Sequence, residues 1–211
     1  MLNSWLSGIR VLDLGQYLPG PAAAQMLADM GADVVKIESP AGDPLRGLDP
    51  VTGKAVKGVS PYYAAINAGK KVVRLDLKST DGKRAFERLV AAADVLIESF
   101  RPGRLAKIGL GPDRLRALNP RLVHVALSGY GQTGPLKDAA GHDLNYLAMT
   151  GALAASGTED APAMTWPPVA DHAAAMQAAR GALGALMGRA RTGKGAFVDV
   201  SLAETALAWQ A

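Results

Sequence analysis

The 211-residue sequence contains no cysteine, 3 histidines and few aromatics, namely 3 Phe, 3 Trp and 5 Tyr. Without thiols there is no disulfide framework, no thiolate metal site and no cysteine nucleophile. So few aromatic rings, and no basic run interleaved with them, leave little for stacking on single-stranded nucleic acid. No stretch longer than 15 residues is free of Asp, Glu, Lys and Arg, whereas a membrane-spanning helix needs about 20 mostly apolar residues. Neither nucleic acid nor membrane is therefore expected as a partner. Met1-Leu2-Asn3-Ser4-Trp5 carries no basic segment leading into an apolar run, so it does not read as a secretory signal, and a cytoplasmic location is expected. A G-x-S-x-G elbow, a histidine pair at helical spacing and an acidic calcium loop are also missing, and no metal is expected.

What is present suffices for a core: 49% of the residues are hydrophobic. The 23 Lys and Arg against 19 Asp and Glu leave a net charge of +4 spread along the chain, a weak field rather than a polybasic tract. Ile9 to Leu14 reads as a strand ending at Gly15, Pro21 opens an Ala-rich helix that stops at Gly31, and Asp33 to Glu38 is a second strand. Strand, helix and strand in that order make a βαβ unit and a parallel sheet. The Pro- and Gly-rich segment from Ser39 to Lys70 predicts a long irregular connection of the kind that carries function. The alternation then resumes with a strand over Lys71 to Leu77, a helix capped by Ser79 or Thr80 and running through Ala92, and a strand over Asp94 to Glu98. Two short helices (Arg104 to Ile108, Asp113 to Leu118), a strand over Arg121 to Leu127, a helix from Asp143, a long Ala-rich helix over Asp171 to Arg191, a strand over Ala196 to Val200 and a last helix from Ala203 complete the pattern.

Gly129-Tyr130-Gly131-Gln132-Thr133-Gly134 matches G-x-G-x-x-G after a strand. Pro135 follows, with no long helix behind it and no acidic residue about 20 positions on, so a tight turn is expected rather than a dinucleotide site. His124, between Val123 and Val125, reads as a packed strand residue, and His142 precedes a helix for which Asp143 is the expected cap. Asp171 stands where a cap of the long helix belongs. Lys70, Lys71, Arg74, Lys78, Arg101, Arg104 and Lys107 collect near strand ends, where open parallel sheets bind ligands.

Several segments in order resemble one family. They are Val11 to Leu14, Gly20-Pro21, Leu27 to Glu38, Asn67 with Gly69-Lys70-Lys71, Leu75 to Lys78, Ala93 to Gly103, and Ser128 to Pro135. Together they are similar to the family III CoA-transferase (CaiB/BaiF) superfamily. The resemblance implies an α/β fold, an open and mostly parallel Rossmann-like sheet with helices on both faces. Residues 1–202 would form the CoA-binding domain, and 203–211 would begin a linker helix toward a small second domain that lies outside this chain. Gly141-His142-Asp143-Leu144-Asn145-Tyr146 resembles the α-methylacyl-CoA racemase branch, so the expected activity is epimerisation of a 2-methylacyl-CoA by two bases, His142 and Asp171. The alternative is CoA transfer between carboxylic acids, with Asp171 as covalent nucleophile; a third reading is an inactive CoA-binding module. The resemblance also puts CoA contacts on Leu75, Asp76, Leu77 and Lys78, on Ser99, Phe100 and Arg101, on Lys107, and on Gly141, Asp143, Asn145 and Tyr146. It implies an acyl-CoA thioester as partner, no cofactor beyond the coenzyme A of the substrate, and a homodimer where the rest of the family's length is present. Ser39 stands where racemases often carry Arg, and His172-Ala173-Ala174 stands where the family usually has glycines.

Overall fold

The computed structural model describes residues 4–158 and 160–211. Six parallel strands form one sheet in the order β3-β2-β1-β4-β5-β6. They are β1 (Arg10–Leu14), β2 (Asp33–Glu38), β3 (Lys71–Arg74), β4 (Val95–Glu98), β5 (Val123–Ser128) and β6 (Ala196–Ser201). The inner strands β1, β4 and β5 are buried along nearly their whole length, as strands covered on both faces must be. Strand order reverses between β1 and β4, where Leu14 lies beside Glu98. Such a reversal opens a crevice at the carboxyl ends of the strands, the place where doubly wound sheets bind ligands.

Side-chain alternation divides β1 between two cores. Val11 joins Val95, Ile97, Val123 and Val125 under the alanines of α1 (Pro19–Asp29) and α7 (Val169–Thr192). Leu12 and Leu14 join Phe86, Val90, Leu105 and Leu115 on the opposite face, under α3 (Thr80–Ala92), α4 (Arg104–Lys107) and α5 (Pro112–Leu118). The alanines of α7 are fully buried from Ala173 to Ala175 and at Ala178 and Ala182, which lets α1 and α7 approach closely over the sheet.

Several local expectations are corrected. The segment from Ser39 to Lys70 holds a single 3₁₀ turn over Pro44–Gly47 and the helix α2 (Pro61–Ile66), both opened by a proline in the first turn. Helix α1 starts at Pro19, before the expected Pro21. Strand β3 ends at Arg74 rather than Leu77, because the Asp76 side chain accepts the Lys78 N–H at 2.9 Å and turns the chain toward the Ser79 cap of α3. After the Gly129–Gly134 turn the next helices are α6 (Asp143–Met149) and α7, and the last is α8 (Leu202–Ala208), which buries Leu202 and Ala206 in the core. Among the described residues no helix is long and apolar enough to cross a membrane.

Buried charge lies under the Ser39–Lys70 segment. Asp13 and Lys36 are both fully buried. The Lys36 ammonium is 3.0 Å from Asp43 and 4.0 Å from Asp13, and the Lys70 ammonium is 2.9 Å from Asp13. Lys70 is thus neither solvated nor ligand-facing, and burial lowers its pKa against the opposing pull of Asp13.

Candidate active site

Two cavities open at the carboxyl ends of the strands. The first, a groove of about 350 Å³, has apolar walls from Leu14, Ile37, Leu75, Leu77 and Phe100 and cations at Lys78, Arg104 and Lys107. The second, of about 360 Å³, is lined by Arg101, Lys137, Gly141, His142, Tyr146 and Asp171 among others. Gln16 and Phe100 line both, so the cavities adjoin at the strand-order reversal.

Most of the expected residues fall in one cavity or the other. Leu75, Asp76, Leu77, Lys78 and Lys107 line the groove, Phe100 lines both, and Ser99, Arg101, Gly141, His142, Tyr146 and Asp171 line the second cavity. Asp143 and Asn145 line neither. Asn145 instead accepts the His142 N–H at 2.9 Å and so fixes the start of α6. Asp143 is buried and accepts the Asp171 N–H at 3.0 Å; it caps α7 across the fold rather than its own helix. Asp171 is accordingly the third residue of α7, behind a Pro168 cap, and not the cap itself.

This arrangement sets the electrostatics. Burial and then the neighbouring charge of Asp143 push the Asp171 carboxyl up to about 7, since two adjacent carboxylates in a poorly solvated site resist double ionisation. Asp143 is also raised, chiefly by burial, while the backbone N–H groups of Asp171 and Ala170 oppose the rise. Tyr146 is pushed up to about 12 by burial and then by Asp171, and Tyr62 is raised for the same two reasons. Two phenols thus stand near the Asp171 carboxylate, which accepts no hydrogen bond from the described residues. His172 is lowered by burial.

Tyr146 is itself wedged in place. Its hydroxyl donates to the Gly141 carbonyl at 2.7 Å. A Cβ built on Gly129 or Gly141 would come within 2.6 or 2.7 Å of its phenol, so the glycines at these positions admit the ring. The first glycine of the G-x-G-x-x-G turn therefore serves packing beside Asp171.

Sequence reasoning missed Gln16, Tyr17 and Lys137 in the cavity walls and Tyr62 beside Asp171. A signal for the first two exists: they follow the first strand, at the carboxyl end where the strand order reverses. His124 is packed in the strand as expected, edge-on to Phe197 at 4.9 Å, with Nε2 3.7 Å from Glu98 and no hydrogen bond to either ring nitrogen.

The family model for CoA-transferase family III matches residues 6–211. The chain belongs to this family. As a family III member it is 42% identical over 202 residues to a succinate–glutarate CoA-transferase of Agrobacterium fabrum, a match covering 93% of this chain and 50% of that protein. It is also 42% identical over 205 residues to a succinyl-CoA–D-citramalate CoA-transferase of Chloroflexus aurantiacus, covering 96% of this chain and 50% of that one. The crystal structure of a CAIB/BAIF family protein from Brucella suis superposes with a TM-score of 0.92 at 36% identity, over 99% of this chain and 56% of that chain. The chain thus spans about half the length of the family III relatives it matches.

Proposed function

We propose that the protein transfers coenzyme A between carboxylic acids, with Asp171 as the covalent nucleophile. The observation that carries the reading is a desolvated carboxylate without a hydrogen-bond partner among the described residues, in a cavity continuous with a cation-rimmed groove. The choice of transfer over epimerisation, the first expectation, rests on relatives that are CoA-transferases.

The groove suits the nucleotide end of coenzyme A, with apolar walls for the base and Lys78, Arg104 and Lys107 for phosphates. In the second cavity an ionised Asp171 oxygen attacks the thioester carbonyl; the C–S bond breaks and CoA leaves as thiolate, giving an acyl–aspartyl anhydride. The thiolate then attacks the Asp171 carbonyl carbon and releases the donor acid together with one aspartyl oxygen. An acceptor carboxylate reverses both steps: its oxygen displaces the thiolate from Asp171, and the thiolate takes the acceptor acyl group. The α7 N-terminus favours negative charge at this point. Arg101 and Lys137 line the same cavity and would pair with a second carboxylate, which suits dicarboxylic acyl groups of the kind named for the relatives.

The test is oxygen transfer. With an ¹⁸O-labelled acceptor acid, one label per turnover enters Asp171 and emerges in the donor acid of later turnovers. Transfer of CoA without label in the donor acid would refute the covalent route. One observation keeps epimerisation in view: His142 shares the cavity with an acid whose pKa is about 7. Exchange of the C2 proton of a 2-methylacyl-CoA in D₂O, with no transfer to any carboxylic acid, would favour that second reading.

A further inference from the structure

The turn from β1 into α1 holds a strained residue. Tyr17 has φ +58° and is the only non-glycine residue at positive φ among the described residues. Side chains avoid this left-handed region, and such a conformation persists only where its surroundings over-determine it, commonly at functional sites. Here the surroundings are buried charges. Asp13 accepts the Gly15 N–H at 2.8 Å, Lys36 donates to the Gly15 carbonyl at 2.8 Å, and Lys70 donates to the Pro21 carbonyl at 2.7 Å. The Ser99 hydroxyl accepts the Gln16 N–H at 3.0 Å. Backbone groups on both sides of Tyr17 are thereby pinned to neighbouring strands and to the Ser39–Lys70 segment.

The strained residue faces the second cavity. Tyr17 lines it, and its ring stands edge-on to His142, with centroids 6.3 Å apart at 83°. Buried ion pairs are poor sources of stability compared with apolar packing of the same volume. A cluster of them whose hydrogen bonds converge on one turn at the ligand-binding edge fits a role in holding shape.

We infer that Tyr17 is a positioning residue, locked in a strained turn by Asp13, Lys36 and Lys70 so that its ring fixes the His142 side of the cavity. That this cavity holds a thioester rests on the proposed transfer function; the mechanical link from Lys36 to His142 does not. Tyr17 was outside the expected site, and nothing in the transfer chemistry requires it to touch the reacting atoms.

The test measures His142 directly. Imidazole resonances, assigned with His142→Gln, are compared by NMR in the wild type, Tyr17→Leu and Lys36→Met. Both variants are expected to move the His142 ring signals, Lys36→Met in the same direction as Tyr17→Leu. Both are also expected to slow formation of an Asp171 adduct by about tenfold or more through misplacement, leaving affinity for free CoA within about twofold. A folded Lys36→Met protein with unmoved His142 signals would overturn the inference. Should Lys36→Met fail to fold, the melting order of two Tyr17 variants decides: Tyr17→Gly should melt above Tyr17→Ala, because only glycine is at ease at positive φ, and the reverse order overturns the strain. A wild type that forms no adduct counts against the transfer function alone, since the NMR shifts and the melting order stand apart from it.

Discussion

The two adjoining cavities reach their properties by opposite means. The groove is walled by the segments that follow β2, β3 and β4, chiefly Ile37 to Pro40, Leu75 to Lys78 and the Arg104–Ile108 turn, and its cations stand in solvent. The Asp171 cavity draws on more elements: the β1–α1 turn, the loop after β4, the end of β5, the loop before α6 and the start of α7. There the acid is desolvated and set against a second buried carboxylate. Holding a charged ligand needs only cations that remain charged in water, whereas chemistry on an acyl group needs a site in which water does not quench the nucleophile. The division predicts that substitutions in the groove change binding and substitutions in the cavity change rate.

The largest effect should follow Asp171→Ala, which is expected to slow CoA transfer by about a thousandfold or more while leaving calorimetric affinity for free CoA within about twofold. A parallel loss of affinity would break the division. Gly141→Ala should come next. The new methyl meets the Tyr146 ring, and overpacking of this kind costs about 1–3 kcal/mol, lowering the melting temperature by roughly 2–12 °C for a chain of this size. An unchanged melting curve would mean that the ring has room to move. In the groove, Lys78→Ala with Lys107→Ala is expected to weaken CoA affinity about tenfold at low salt, with the deficit shrinking as salt screens exposed charges. A deficit independent of salt would contradict cations acting in solvent.

The smallest effect is in pH. Asp171 must be ionised to attack, so adduct formation should rise with pH through about 7 and level off above it. Asp143→Asn removes the neighbouring charge that helps raise Asp171, which moves the midpoint to lower pH. A raised carboxyl pKa stabilises the fold below the ordinary aspartate range, and that contribution is lost as pH rises through about 7. Relative to the wild type, Asp171→Asn should therefore gain stability at pH 8 but not at pH 4, as read by urea denaturation at the two values.

The contrast between the cavities also marks what the sequence reveals. The strand–helix alternation of a parallel sheet, the long Ala-rich helix and the cations gathered after the strands follow from local period and composition, because these are encoded by neighbours in the chain. The strand order belongs to the assembled sheet, and Leu75 and Leu77 are named from family resemblance. Asp143 is read as a cap, and it is one, but of a helix that starts across the fold; that partnership spans 28 positions and leaves no local trace. Lys36 within Asp33 to Glu38 reads as an ordinary polar strand position, yet its ammonium is sealed under the Ser39–Lys70 segment with Asp43. Tyr17 escapes for another reason: residue type does not disclose strain, and Tyr is a poor guide to a left-handed turn. His142 and Asp171 are named from family resemblance, and their shared cavity is a property of the tertiary fold alone.

In the proposed transfer Asp171 carries the acyl group and then CoA. The direct measurement is mass spectrometry of the protein after incubation with a dicarboxylic acyl-CoA and hydroxylamine, which converts an activated aspartyl group into a hydroxamate. A hydroxamate is expected on the peptide containing Asp171, absent without acyl-CoA. Transfer activity with that peptide unmodified, or with the label on another residue, would contradict it.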